Sequence, residues 1–264
     1  MELREFLFVP LEMEKFDFAI TSKQNGIFSG STNLRSLADE LGLEVRWIAP
    51  EGYRLEKGSC VFRSSGTSNK IIRAEEMLLG VIGKPSGVAT AAARFVTEAR
   101  ECIKIVCGAW KKVDPRVRSD LRQAIVTGGG GIRITECPFI YLDKNYIRML
   151  GGVEAAVNRA RAYDKKRVIT VQLRGEKQTI EQEALVAVDA GASILMVDTG
   201  NLRDLEIVDR VLKSAVLREK VEVAFSGGIT LSDMQLIING GADIVDVGRA
   251  IIDGPMLDFT LDVI

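Results

Sequence analysis

The sequence contains no histidine. That removes Ser-His and Cys-His nucleophile pairs, an imidazole general base and every His-ligated metal centre. Cysteine is scarce. Cys60, Cys102, Cys107 and Cys137 form no C-x-x-C pair, which excludes zinc and thioredoxin-like sites and predicts reduced, mostly buried thiols. No stretch approaches the ~18 uncharged apolar residues that a membrane-spanning helix needs. The opening segment MELREFLFVPLEMEK mixes acids with bases and does not read as a signal sequence, so a cytoplasmic location is expected. An excess of either charge is missing as well: 35 basic residues stand against 36 acidic ones. Such a chain has no global attraction to nucleic acid or to anionic membrane, and neither is expected as a partner. What remains is an ordinary globular composition, 47% apolar and 27% charged, which excludes disorder. Its 264 residues suffice for a barrel-type domain with a small companion.

Two rhythms run along the chain. The first hundred residues hold short strand-like runs (FDFAI, IFSG, EVRWIA, SCVFRS) separated by turns such as Glu51-Gly52. The stretch NLRSLADELG is a predicted helix, with Leu34, Leu37 and Leu41 at helical spacing and Gly42 as its stop. A longer helix is predicted from near Lys70 toward Ala99, kinked or split at Pro85. From Cys102 onward, six β-branched apolar runs (IKIVCG, FIYLD, VITVQL, SILMVD, VEVAFSGG, ADIVDVG) alternate with amphipathic segments. Six strand–helix repeats predict parallel β/α units, either doubly wound or closed as a barrel. The chain lacks a G-x-G-x-x-G opening a helix and lacks a P-loop, which favours the barrel. The expected architecture is therefore α/β: a small N-terminal domain over residues 1–100, and an open, TIM-like barrel of parallel strands over 101–264. The last residues are expected to pack back on the first domain.

In such barrels, chemistry sits at the C-terminal ends of the strands, and the late strand–loop junctions often cradle phosphate. Ser226-Gly227-Gly228 and Gly248-Arg249 end two consecutive late strands and are predicted to bind phosphate. Asp198 ends the strand before them, where a carboxylate can hold a metal ion, ribose hydroxyls or a developing positive charge. Residues 110–118 carry four cations (Lys111, Lys112, Arg116, Arg118) and one acid, while Arg133 and Lys144 lie near the second strand. The combination predicts a polyanionic ligand such as a sugar phosphate, a diphosphate or a carboxylate.

Several blocks together resemble the quinolinate phosphoribosyltransferase family. Ala74-Glu75-Glu76 and Ser86-Gly87-Val88-Ala89-Thr90 resemble its A-E-R-T and S-G-I-A-T blocks. Trp110 to Arg118 resembles T-R-K-T-x-P-G-x-R, and Ala124 to Gly130 resembles A-V-x-x-G-G-G. Leu142 to Ile147, Thr170 to Leu173, Ala190 to Asp198 and Ser226 to Thr230 resemble I-K-D-N-H-I, E-V-E-V, A-G-A-D-x-x-M-L-D and S-G-G-I-T. The resemblance implies phosphoribose transfer from phosphoribosyl pyrophosphate to quinolinate or a related pyridine acid, with Mg²⁺, in a homodimer or higher homo-oligomer whose N-terminal domains complete the partner's sites. It implies catalytic roles for Lys112, Lys144 and Asp198, with Asp198 also the metal ligand. Lys111, Arg118, Arg133, Gln172 and Glu76 would face the substrate, and Ser226, Gly227, Gly228, Gly248 and Arg249 the phosphates.

The chain departs from that pattern at four places: Glu76 stands for an arginine, Gln172 for an acid, Lys111 for an arginine, and the N-H-R histidine is missing. Lysine supplies a point charge where arginine supplies a fork. Two alternatives therefore stay open: a non-catalytic paralogue that binds a phosphorylated ligand, and an aldolase-like barrel using Lys144 as a Schiff base.

Overall fold

A computed structural model describes residues 3–264. In chain order, the first part comprises α1 (Leu3–Phe8), β1 (Lys15–Ser22), β2 (Gly26–Ile27), α2 (Ser31–Glu40), β3 (Glu44–Ile48), β4 (Arg54–Leu55), β5 (Cys60–Thr67) and α3 (Ser68–Ala99). Strands β6 (Lys104–Val106), β7 (Phe139–Leu142), β8 (Val168–Leu173), β9 (Ile194–Val197), β10 (Glu222–Ser226) and β11 (Ile244–Asp246) follow. Between them lie α4 (Arg118–Thr127), α5 (Lys144–Leu150), α6 (Val153–Tyr163), α7 (Ile180–Ala190), α8 (Leu202–Ser214) and α9 (Met234–Asn239). The chain closes with α10 (Arg249–Ile252) and β12 (Phe259–Val263).

The elements form two compact units that are discontinuous in sequence, so no single cut near residue 100 separates them. One combines residues 1–93, 110–129 and 251–264; the other combines 94–109 and 130–250.

The first unit is built on an antiparallel sheet ordered β12-β1-β5-β3. Its core gathers Phe18, Ile20, Phe28, Leu34, Phe62, Leu78 and Ile82 with Leu257, Phe259 and Leu261 from the end of the chain. Helix α2 buries Leu34 and Ala38, as the leucine spacing predicts, but its N-cap Gly30 has no side chain to offer the first amides. Glu51 caps it from the following turn. The carboxylate accepts from Gly30 N and Ser31 N at 3.0 Å each, from Ser31 Oγ at 2.8 Å, from Ser29 Oγ at 2.5 Å and from Thr127 Oγ1 at 2.8 Å. Burial alone would raise the Glu51 carboxyl, but the hydrogen bonds from Ser29, Ser31 and Thr127 outweigh it and hold it below the ordinary 4.5. A lowered carboxyl contributes stability that is present above the ordinary value and lost as pH falls through the folded one. Glu51→Ala is expected to cost about 2 kcal/mol at neutral pH. Urea melts of wild type and variant should converge as pH falls below the ordinary carboxylate range and the wild-type carboxyl protonates; a gap that persists in strong acid would count against this role.

Helix α3 runs unbroken through Pro85, which corrects the expectation of a split. Proline removes one amide donor and alone costs ~3 kcal/mol within a helix. The turn before α2 braces this point: fully buried Ser86 accepts from Ser29 N at 3.0 Å through Oγ and donates to Ser29 O at 3.3 Å. The thiols also differ from expectation, since Cys102 and Cys137 are exposed and Cys60 is half-buried. Both exposed ones sit in turns outside the strands, where no core forms around them.

The second unit is a six-stranded parallel sheet ordered β6-β11-β10-β9-β8-β7. Five strands follow one another in sequence without reversal. β6 and β7 lie at opposite edges, where a closed barrel would join them. A doubly wound sheet needs a reversal of strand order, so this is the open, TIM-like barrel expected. Register partners in a parallel sheet share a face. Val106, Ile194, Met196, Ala224 and Ile244 therefore form one apolar cluster on one face, joined by Ile134. Among the described residues, no helix is long and apolar enough to cross a membrane.

Candidate functional site

The apolar cluster ends in polar side chains at the C-terminal edge of the sheet. Gln172 is paired with Met196, and Ser226 with Asp246, while Asp198 follows β9 directly. The alternation that buries Met196 thus brings Gln172, Asp198, Ser226 and Asp246 to one face.

Asp198 is the hub. Its Oδ1 accepts from Ser226 Oγ at 2.5 Å, and its Oδ2 accepts from Gln172 Nε2 and from Arg174 Nη1, the latter at 3.3 Å. Arg174 Nη1 also donates to the Asp198 carbonyl at 2.7 Å. Gln172, 7% exposed, turns its other end to Lys144 N, accepting through Oε1 at 2.6 Å. Four elements therefore meet through side-chain hydrogen bonds around one carboxylate. The loop bearing Arg174 is held by buried Glu183 on α7, which accepts from the amides of Arg174, Gly175 and Glu176 at 2.9, 2.8 and 3.3 Å. Asp246 accepts from Gly108 N at 2.8 Å. Burial, with the charges of Asp246, Asp198 and Asp143 around it, pushes the Tyr141 phenol above its ordinary 10.0, so the hydroxyl stays protonated.

Beside the hub, Gly227 and Gly228 take φ values of +119° and +69°, which side chains rarely adopt. The turn also touches the loop after β9. Gly200 N donates to Ser226 O at 3.0 Å, and a Cβ on Gly227 would lie 2.5 Å from Gly200 N. Gly228 faces open space. Backbone can thus approach an anion at the place the sequence indicated. Gly248 and Arg249 lie just past the neighbouring β11 rather than ending it as expected: the strand stops at Asp246, and Arg249, exposed, opens α10.

A cavity of about 200 Å³ opens next to the hub, lined in part by Lys144, Arg148, Gln172, Arg174, Glu176 and Lys177. Arg148 and Glu176 pair through two hydrogen bonds, at 2.8 and 2.6 Å. Lys144 is exposed at the first position of α5, whose N-cap Asp143 accepts from Asn145 N and Tyr146 N.

The other expected residues are placed as follows. Arg133 is exposed in the second unit, shortly after Gly131, which bridges to β6. Glu76, Lys111, Lys112 and Arg118 belong to the first unit. Lys111 and Lys112 are exposed in a short turn, and Arg118 supports that turn: its Nε donates to Val113 O at 2.9 Å and its Nη2 to Lys111 O at 2.8 Å. Glu76 is exposed on α3. Sequence reading missed Arg174, Glu183 and Tyr141. Arg174 and Tyr141 carried a usable signal, since each lies two residues from a position it shares a face with, Gln172 and Asp143.

A resident Mg²⁺ needs oxygen ligands in near-octahedral array. Both oxygens of Asp198 already accept hydrogen bonds, one of them from a cation, and Gln172 offers an amide where the pattern has an acid. Among the described residues, no group of three or more Cys, Asp or Glu is placed to hold a metal ion. The donor set does not fit a resident divalent cation.

Two family models match nearly the whole chain: "Quinolinate phosphoribosyl transferase, N-terminal domain" over residues 6–86 and "Quinolinate phosphoribosyl transferase, C-terminal domain" over 88–262. The chain belongs to the quinolinate phosphoribosyltransferase family. Its relatives include the human "Nicotinate-nucleotide pyrophosphorylase [carboxylating]", 29% identical over 92% of this chain and 80% of the human protein. The fold is also that of the nicotinate-nucleotide pyrophosphorylase from Pyrococcus furiosus, with a TM-score of 0.84 at 22% identity, covering 98% of this chain and 72% of that one. The Francisella tularensis structure of the same name gives 0.80 at 23% identity, over 95% and 86%.

Proposed function

We propose that this member of the quinolinate phosphoribosyltransferase family transfers phosphoribose from phosphoribosyl pyrophosphate to a pyridine carboxylate, quinolinate or a related acid, as in NAD biosynthesis. In that reaction the bond from the anomeric carbon to pyrophosphate breaks, its electron pair leaves with pyrophosphate, and the ring nitrogen's pair forms the new bond. With quinolinate, the carboxyl next to that nitrogen departs as CO₂ and a proton from water replaces it. No histidine is required. The work is orientation and electrostatics, which the residues present can supply.

The observation that carries this reading is the Asp198 hub beside the Gly227-Gly228 turn. Asp198 would fix the ribose, and Ser226, Gly227, Gly228, Gly248 and Arg249 would bind phosphate. Lys144 and Arg133 would reach the diphosphate or the acceptor acid. Lys111, Lys112 and Arg118 would add acceptor or phosphate contacts, and Glu76 and Gln172 would shape acceptor choice. The same reading takes the protein as cytoplasmic and as a homodimer or higher homo-oligomer, and light scattering of the purified protein tests the assembly. The Schiff-base alternative gains no support from an exposed lysine, since that chemistry uses a desolvated one.

The test is turnover of phosphoribosyl pyrophosphate with quinolinate, nicotinate and related pyridine acids, read as pyrophosphate release and nucleotide by mass spectrometry. Product with at least one acid is expected. Binding without turnover across the panel would select the non-catalytic alternative.

A further inference from the structure

Asp198 does not stand in the site as an open carboxylate. Ser226 occupies Oδ1, while Gln172 and Arg174 share Oδ2, so a cation already lies where an incoming ion would seek negative charge. The guanidinium is held by design of its loop: Glu183 fixes the three amides from Arg174 to Glu176, and the Asp198 carbonyl takes Nη1. Arg174 Nε lies 3.3 Å from Glu176 Oε1, yet makes no hydrogen bond. Glu176 itself is engaged by Arg148, and Glu183 by backbone. The arginine lines the cavity together with Lys144, Arg148 and Lys177. The lining carries four cations (Lys144, Arg148, Arg174, Lys177) against three carboxylates (Glu154, Glu176, Glu183), an excess of one positive charge.

We propose that the Arg174 guanidinium takes the place of a divalent cation beside Asp198, so that this chain binds the diphosphate of phosphoribosyl pyrophosphate without a metal ion. A guanidinium matches phosphate oxygens in pairs and cannot lose its proton. It neutralises the carboxylate and offers its remaining N–H groups to the ligand. Gln172 agrees with this arrangement: its amide donates to the same Oδ2, which an acid at that position could do only when protonated. The inference rests on the transferase reading above for the ligand, but its metal half stands on Asp198 alone.

Two measurements separate these halves. The first is Mn²⁺ titration of the free protein, followed by electron paramagnetic resonance. Wild type is expected to bind no ion specifically. Arg174→Gln, which vacates Oδ2, is expected to gain affinity by about tenfold or more, and the added Asp198→Asn should abolish that gain. Stoichiometric Mn²⁺ binding by wild type, or no gain in Arg174→Gln, overturns the metal half. The second is calorimetry with phosphoribosyl pyrophosphate in EDTA and in Mg²⁺. Wild-type affinity should agree within about twofold, whereas Arg174→Gln should need the metal by about tenfold. Arg174→Lys keeps the charge and should stay insensitive to EDTA, with circular dichroism confirming that each variant folds. A tenfold loss for wild type in EDTA overturns the ligand half. No binding under either condition overturns both the ligand half and the transferase reading, and leaves the Mn²⁺ titration to decide the metal half.

Discussion

Asp198→Asn is expected to lower kcat/KM for phosphoribosyl transfer by about a hundredfold or more while the fold survives. The amide is nearly isosteric with the carboxylate. Its oxygen can still accept from Gln172, and Ser226 can reverse its hydroxyl to accept from the new NH₂, because a hydroxyl both donates and accepts. What is lost is charge: Arg174 loses the Asp198 carboxylate and keeps only the Glu176 ion pair and the Asp198 carbonyl, and the ribose no longer meets a carboxylate. Thermal melts should therefore move little compared with rates. Asp198→Ala should lower both, since it strands the Gln172 amide and the Arg174 guanidinium. Wild-type rates in Asp198→Asn would remove Asp198 from the mechanism.

Gly87→Val is expected to prevent folding or to cost more than about 3 kcal/mol. A Cβ at that position would sit 2.1 Å from the carbonyl oxygen of Pro255 and 2.9 Å from its carbonyl carbon. The obstacle is backbone, which cannot rotate aside as a side chain would. Gly80 in the same helix is the control. It is exposed, and a Cβ there meets nothing within 4 Å. Gly80→Ala should then stabilise by about 0.5–1 kcal/mol through helix propensity. Urea melts of the two variants test the contrast, and a tolerated Gly87→Val would mean that the segment around Pro255 gives way.

Much of this was legible in the sequence because it depended on local pattern. The six barrel strands announced themselves as β-branched runs, and each was found. The choice between barrel and doubly wound sheet depended on strand order, which local pattern does not encode but which the missing nucleotide-binding glycines favoured correctly. Pro85 misled because its local penalty is offset by Ser29 and Ser86, partners 57 residues apart. In the site, Asp198, Ser226 and the glycine turn were readable from their place at strand ends. The place of Arg174, two residues after Gln172, was readable too, but its hold on Asp198 was not: that depends on a loop that Glu183 pins from a neighbouring helix.

The last strand has a bearing on how the protein is made. β12 is hydrogen-bonded along β1, pairing Phe18 with Val263 and Ser22 with Phe259, and Leu257, Phe259 and Leu261 fill the core of the first unit. A ribosome emits β1 first and β12 some 240 residues later, at about 5–20 residues per second. For more than ten seconds of synthesis, that sheet therefore has an open edge at β1 and a core missing three large side chains. The barrel strands are all exported before this gap is filled. The two units consequently cannot mature in the order of their first residues. The N-terminal sheet waits on the end of the chain, and during that interval it is the segment most exposed to chaperones and to misassembly with a second nascent copy.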